Sequence, residues 1–211
     1  MPLDLDLPLR EGRYAVVDIE TTGLKPPFAR ITEIAAVRIC DGEIDLELAQ
    51  LIDPGCAIPP RITEMTGISN QMVMGQPDID AVWPFFLSFV GDAVVIAHNA
   101  RFDLSFLDQE AWSRSGEPLP NPELCTVTLA RRAWPWLGRH NLDAVAEHCG
   151  IAFDSRHRAL GDAKVTAQVF LELIPYLERM GLLTVGQVLR AQRSARCQAR
   201  LAAAGRELSR R

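Results

Sequence analysis

Short apolar runs that break at turn residues mark the first half of the chain as strand-rich. "GRYAVVDIE" (12–20) reads as a buried strand, followed by "ITEIAAVRIC" (31–40) and "IDLELAQLI" (44–52). Asp41-Gly42 joins the last two, a strong short-range hairpin signal. "AVVIAHNA" (93–100) is a further short buried strand. Between them, "PRITEMTGISNQMV" (60–73) reads as a loop and then a helix from about Ser69, and "DIDAVWPFFLSFVG" (78–91) as a helix bent or interrupted by Pro84. "ARFDLSFLDQEAWSRSG" (100–116) has helical spacing ended by Gly116, and "GEPLPNPE" is a loop. "LCTVTLARRAWP", "NLDAVAEHCG" and "LGDAKVTAQVFLELIPYLERMG" predict three more helices, stopped by Pro135, stopped by Gly150, and kinked at Pro175 in turn. Strands with a hairpin come first and then alternate with helices, which predicts an α/β class with a mixed sheet.

Composition narrows the setting. With 211 residues, 48% hydrophobic and 23% charged, the chain can bury the core of one α/β domain and a modest extension. The N-terminal stretch lacks a basic segment followed by an apolar one, so no export signal is expected. No apolar run approaches the ~18 residues of a membrane span. Five scattered cysteines with no CxxC pair are expected to be free thiols of a reducing, cytoplasmic compartment.

Charge changes the picture more. The net charge is −5, yet residues 181–211 hold seven arginines and one glutamate, a net of +6, leaving −11 for residues 1–180. So acidic a body does not attract nucleic acid by bulk charge, but a bound cation reverses that locally.

The acids are placed with a pattern. Asp18 and Glu20 close the first strand two residues apart, so both face one side. Asp103 falls in "HNARFD", in the first turn of the helix after the strand "AVVIA". Asp162 falls in "HRALGD", near a helix start, with His157 five residues earlier and better able to converge on it from a loop. Strand ends and helix starts are where α/β sheets keep their sites. Four carboxylates without cysteine favour hard cations such as Mg²⁺ or Mn²⁺, and two such ions can promote phosphodiester hydrolysis. A histidine beside them suits proton removal from water.

"DIETTGL", "HNARFD" and "HRALGD", in that order, resemble the three motifs of the DEDDh 3′→5′ exonucleases. The resemblance is closest to the branch of the proofreading epsilon subunit of bacterial DNA polymerase III. It covers about residues 13–180 and implies an RNase H-like fold: a five-stranded mixed sheet, order 3-2-1-4-5, flanked by helices. It implies Asp18, Glu20, Asp103 and Asp162 as ligands of two Mg²⁺ or Mn²⁺ ions, and His157 as general base. It further implies Thr21, Thr22 and Gly23 against the terminal nucleotide, Leu24, Met65 and Phe102 around its base, and His98 and Asn99 lining the pocket. Residues 1–12 are then an N-terminal extension, 13–180 the exonuclease domain, and 181–211 an Arg-rich helical tail.

Blander roles compete at some positions. Met65 and Phe102 suit a core by composition alone, the four tryptophans suit packing, and His98 suits a hydrogen-bonded structural role. The chain has twenty Arg and two Lys, so the tail partly reflects global arginine usage and reads as a solvated helix. The expected activity is removal of 3′-terminal nucleotides from single-stranded or mismatched DNA, with a DNA polymerase subunit as a possible partner. An exoribonuclease and a polymerase-docking adaptor remain open.

Overall fold

The computed structural model describes residues 3–153 and 157–194. Three antiparallel strands open it: β1 (Tyr14–Thr21), β2 (Ile31–Cys40) and β3 (Glu43–Leu51). The β2–β3 turn uses Asp41 at φ 51° and Gly42 at φ 76°, two left-handed residues in a row, which is why Asp-Gly occupies it. After a segment carrying the helices α1 (Pro60–Thr66), α2 (Asn70–Val73) and α3 (Ile79–Val90), β4 (Val94–Ala97) returns parallel to β1. Helix α4 (Arg101–Ser115) leads to β5 (Glu123–Cys125), parallel to β4, then come α5 (Thr126–Ala133), α6 (Leu142–Cys149) and α7 (Ala159–Arg179). The strand order is β3-β2-β1-β4-β5, the mixed sheet of the RNase H-like fold.

Side-chain alternation along the strands builds two cores. Tyr14 and Val16 of β1, Ala35, Val37 and Ile39 of β2, and Val94 and Ile96 of β4 pack with α5, α6 and α7. Ala15, Val17 and Ile19, with Ile34, Ala36, Val95 and Ala97, pack on the other face with α3 and α4. The even row of β1 therefore faces α7, and it continues into Asp18 and Glu20.

Several elements differ from the sequence pattern. Residues 60–66, expected as loop, form α1, begun by Pro60 at its first position and closed by Gly67 at φ 73°. Helix α3 runs through Pro84. The missing N–H leaves only the carbonyl of Asp80, an exposed residue in the first turn, without its usual bond. Helix α7 likewise continues through Pro175. Of the tryptophans assigned to packing, Trp83 and Trp134 are buried, whereas Trp112 and Trp136 are 55% and 69% exposed.

The two flanks close on each other. Leu9 N–H donates to Leu183 O (3.1 Å), Val185 N–H to Leu7 O (3.1 Å) and Gly186 N–H to Leu5 O (2.7 Å). A Cβ on Gly186 would stand 3.0 Å from that Leu5 carbonyl, so the close approach requires glycine. Residues 185–194 form a helix, α8, whose Val185, Val188 and Leu189 join Leu9 in the α7-side core. Packing thus crosses residue 180, where composition drew the domain edge, and these ten residues are not a solvated helix. The remainder of the expected tail, 195–211, lies outside the described residues.

Gln192 of α8 is 3% exposed and serves the free edge of β5. Its Oε1 accepts from Cys125 N–H (2.7 Å) and its Nε2 donates to Glu123 O (2.9 Å), as a neighbouring strand would. Gln192→Ala leaves both backbone groups without their partner. We expect a loss of roughly 1–3 kcal/mol in urea-denaturation stability from the buried Cys125 N–H. Gln192→Met, which restores the bulk but neither hydrogen bond, should stay close to the alanine variant if the hydrogen bonds matter; stability equal to the parent would show that α8 contributes apolar packing alone.

Candidate active site

Asp18 and Glu20 stand at the C-terminal end of β1, and the α7 face they share is where α7 begins. Asp162 lies in the first turn of α7, its N–H donating to Arg158 O (3.1 Å). Asp18, Glu20 and Asp162 each offer a carboxylate oxygen, and the three atoms lie within 4.8 Å of one another. An oxygen-only set at this spacing fits a hard divalent cation.

Asp103, third residue of α4, stands apart from that set but is electrically part of it. It is 3% exposed, and its Oδ1 accepts from Ile19 N–H (3.3 Å), between the two acids of β1. Burial pushes its pKa up to about 8, and the charges of Glu20 and Asp162 add to the rise. Burial therefore favours the protonated form of Asp103 in the metal-free protein, and a cation bound nearby would favour the carboxylate.

A second carboxylate-bearing strand reaches the same corner. Glu33 of β2 pairs directly with Glu20 across the sheet, is 3% exposed, and anchors the start of α7. Arg158 grips it with Nη2 at 2.6 Å and Nε at 3.1 and 3.2 Å, while Ala159 N–H donates to Oε2 at 3.0 Å. Glu33 thus caps α7 and holds the residue next to His157, and both Glu33 and Glu20 stabilise the Arg158 charge. Neither Glu33 nor Arg158 was singled out by sequence. Only the acid's position inside an apolar run, "ITEIAAV", hinted at burial. His157 is exposed, in a turn at φ 59°.

The remaining predicted residues divide. Thr22 N–H donates to Arg30 O (2.8 Å) and Thr22 Oγ1 accepts from Arg30 N–H (2.9 Å), while Thr21 Oγ1 donates to Gly23 O (2.6 Å). These bonds close the loop 22–30, with Gly23 tucked against Ala29. Leu24 and Met65 are 74% and 51% exposed, so Met65 is not a core residue. Phe102 is half-buried and packs on Phe106 (5.3 Å between rings). His98 bonds Thr126 Oγ1 through Nδ1 (2.8 Å) and His140 O through Nε2 (3.0 Å), the structural role. His98 and Asn99, the latter at φ 65°, nevertheless line a 410 Å³ cavity with Asp18 and Asp162, and Arg131 and Asn141 stand in its wall.

Comparison with known proteins agrees with this geometry. The family model RNase_T, described as "Exonuclease", matches residues 15–170. The chain is 39% identical over 169 residues to the DNA polymerase III subunit epsilon of Aquifex aeolicus, covering 80% of this chain and 84% of that protein. It is 45% identical over 159 residues to a PolC-type DNA polymerase III of Clostridium perfringens, covering 75% of this chain but only 11% of that protein. Among solved structures, "Exonuclease X in complex with 5' overhanging duplex DNA" superposes with a TM-score of 0.67 at 29% identity, over 85% of this chain and 99% of that one.

Two outcomes follow from the electrostatics. The Asp103 carboxyl has a folded pKa near 8, above its unfolded value, so its contribution favours the metal-free fold at low pH and is lost as pH rises towards 8. Asp103→Asn should therefore raise the melting temperature in EDTA more at pH 8 than at pH 5, and an equal gain at both would refute the buried proton. Glu33→Ala strands the buried Ala159 N–H and releases Arg158. A loss of roughly 1–3 kcal/mol is expected in chemical denaturation, with Glu33→Gln intermediate.

Proposed function

The chain belongs to the RNase_T exonuclease family, and from that premise we propose that it hydrolyses the terminal phosphodiester of single-stranded or mismatched DNA from the 3′ end. The observation that carries the proposal is the convergence of the Asp18, Glu20 and Asp162 oxygens within 4.8 Å, with Asp103 buried against the same strand. Two divalent cations, Mg²⁺ or Mn²⁺, would be held by these four carboxylates and supply positive charge to a scissile phosphate and its attacking water.

The chain's own groups do the rest. His157, exposed at the start of α7, removes the proton from the attacking water at its imidazole. Glu33 and Arg158 fix the turn from which it acts. Leu24, Met65 and Phe102 form the apolar surface against the terminal base, tolerant of sequence because every base has a stackable face. Gly23 lets the loop approach, and His98 and Asn99 line the cavity beside Asp18. Thr21 and Thr22 shape that loop through their bonds to Gly23 and Arg30.

DNA is favoured over RNA because the polymerase relatives and Exonuclease X are named for DNA. Partnership with a DNA polymerase is supported by the relative named as an epsilon subunit and by the chain's match to a small part of a PolC-type polymerase. A proofreading or repair role is proposed on the strength of the same names.

The test is a primer assay on 3′-mismatched and matched DNA with an RNA control, in Mg²⁺, Mn²⁺ or excess EDTA. Release of mononucleotides from mismatched ends, lost in EDTA, is expected; activity that survives chelation, or faster cleavage of RNA, would overturn the proposal. His157→Ala should slow turnover by about 10²–10⁴-fold while Mn²⁺ affinity holds. Metal loss matching that of Asp162→Ala would make the histidine a ligand instead.

A further inference from the structure

The cavity beside Asp18 and Asp162 does not end there. A second one, of 500 Å³, shares Asn99, Val127 and Arg131 with it, so the two form one groove running from the carboxylates across the start of α4 to Arg101, Ser105 and Thr128. Arg101 and Arg131 are exposed, and among the described residues neither has an ion-pair partner. The far end carries Asp108 and Glu123; Asp108 already accepts from Leu119 N–H (3.1 Å), which sets a limit to any anionic path.

The sequence supports a special role for this wall. From Leu124 to Leu142 the chain has three arginines, His140 and no acid, although residues 1–180 are strongly acidic as a whole. The segment is also held in place. His98 Nε2 bonds His140 O (3.0 Å), and His140 Nε2 bonds Trp134 O (3.1 Å), which fixes the loop after α5 against the end of β4. An exposed cation with no ion-pair partner among the described residues, on a groove that starts at the carboxylates, suits one chemical class: the phosphates of a nucleic-acid strand.

We propose that this groove binds the single strand immediately upstream of the bond to be cut, with Arg131 as its principal phosphate contact and Arg101 beyond it. This rests on the exonuclease reading for the identity of the carboxylate end. The terminal nucleotide lies towards Leu24 and Met65, and the next phosphates follow Asn99 and Arg131. Thr128 supplies a hydroxyl that tolerates any base, whereas the Ser105 O–H is donated to Phe102 O (2.7 Å). Long substrates then gain affinity that a dinucleotide cannot, and an acidic protein holds its polymer through one narrow track rather than through net charge.

Binding of 5′-labelled oligothymidylates, measured by fluorescence anisotropy in an Asp18→Asn background without divalent cation, separates binding from cleavage. Arg131→Ala should weaken a dodecamer by about tenfold and lower the slope of log affinity against log salt by about 0.7, the share of one single-strand phosphate contact. Arg132→Ala is the control: the same helix and the same charge change, but a residue outside the groove. It should match the parent, and the dinucleotide should lose less than the dodecamer in Arg131→Ala. Equal losses in the two arginine variants, or no loss in Arg131→Ala, would overturn the groove. Failure of the exonuclease reading would show separately, as an intact wild-type chain that binds DNA and releases no nucleotide with Mg²⁺ or Mn²⁺.

Discussion

Repulsion between carboxylates is the constraint around which this molecule is arranged. Two unit charges 4.8 Å apart repel by roughly 3 kcal/mol at the effective dielectric of a protein surface. Asp18, Glu20 and Asp162 meet that close while a fourth acid is buried beside them. The fold tolerates the strain by fixing the four acids on three rigid supports. Asp18 and Glu20 stand on the strand clamped between β2 and β4, Asp162 on the 21-residue helix α7, and Asp103 on α4 with its carboxylate tied to the backbone of β1. A proton on Asp103 relieves part of the charge. Arg158, held by Glu33 and feeling Glu20, offsets more of it. What results is an oxygen-lined corner whose donor set suits a hard cation.

Much of this was legible in the sequence because it depends on local periodicity. Alternation along β1, β2 and β3 and the Asp41-Gly42 turn are local signals, and so is the two-residue spacing that sends Asp18 and Glu20 to one face. Placing acids at strand ends and helix starts needed only α/β geometry, whereas their reading as one ordered set rested on the resemblance to the DEDDh exonucleases. Failures came where three-dimensional contacts decide. Strand β5 is three residues long, too short for any alternation to show; it exists because β4 pairs with one edge and Gln192 with the other. Helix α1 was hidden by Pro59-Pro60, which reads as a loop until Pro60 is seen at a helix start, where its missing N–H costs nothing.

The site residues that escaped notice share a cause. Glu33 and Arg158 are 125 positions apart, and each alone looks like an ordinary surface charge. Only the sheet register, which puts Glu33 opposite Glu20, turns them into a cap for α7. Thr21 and Thr22 also hold their loop through bonds to Gly23 and Arg30, contacts that the motif alone did not show.

The stitching of Leu5, Leu7 and Leu9 to residues 183–186 has an architectural consequence. The segment entering the fold runs beside the one that leads into α8, so the first and last elements of the core fasten each other. A longer polypeptide that carries this fold finds the start of the unit already tied to its closing element. Such a unit can be carried as a cassette inside a much larger chain or stand as a subunit with equal ease, and its relatives include proteins of both sizes.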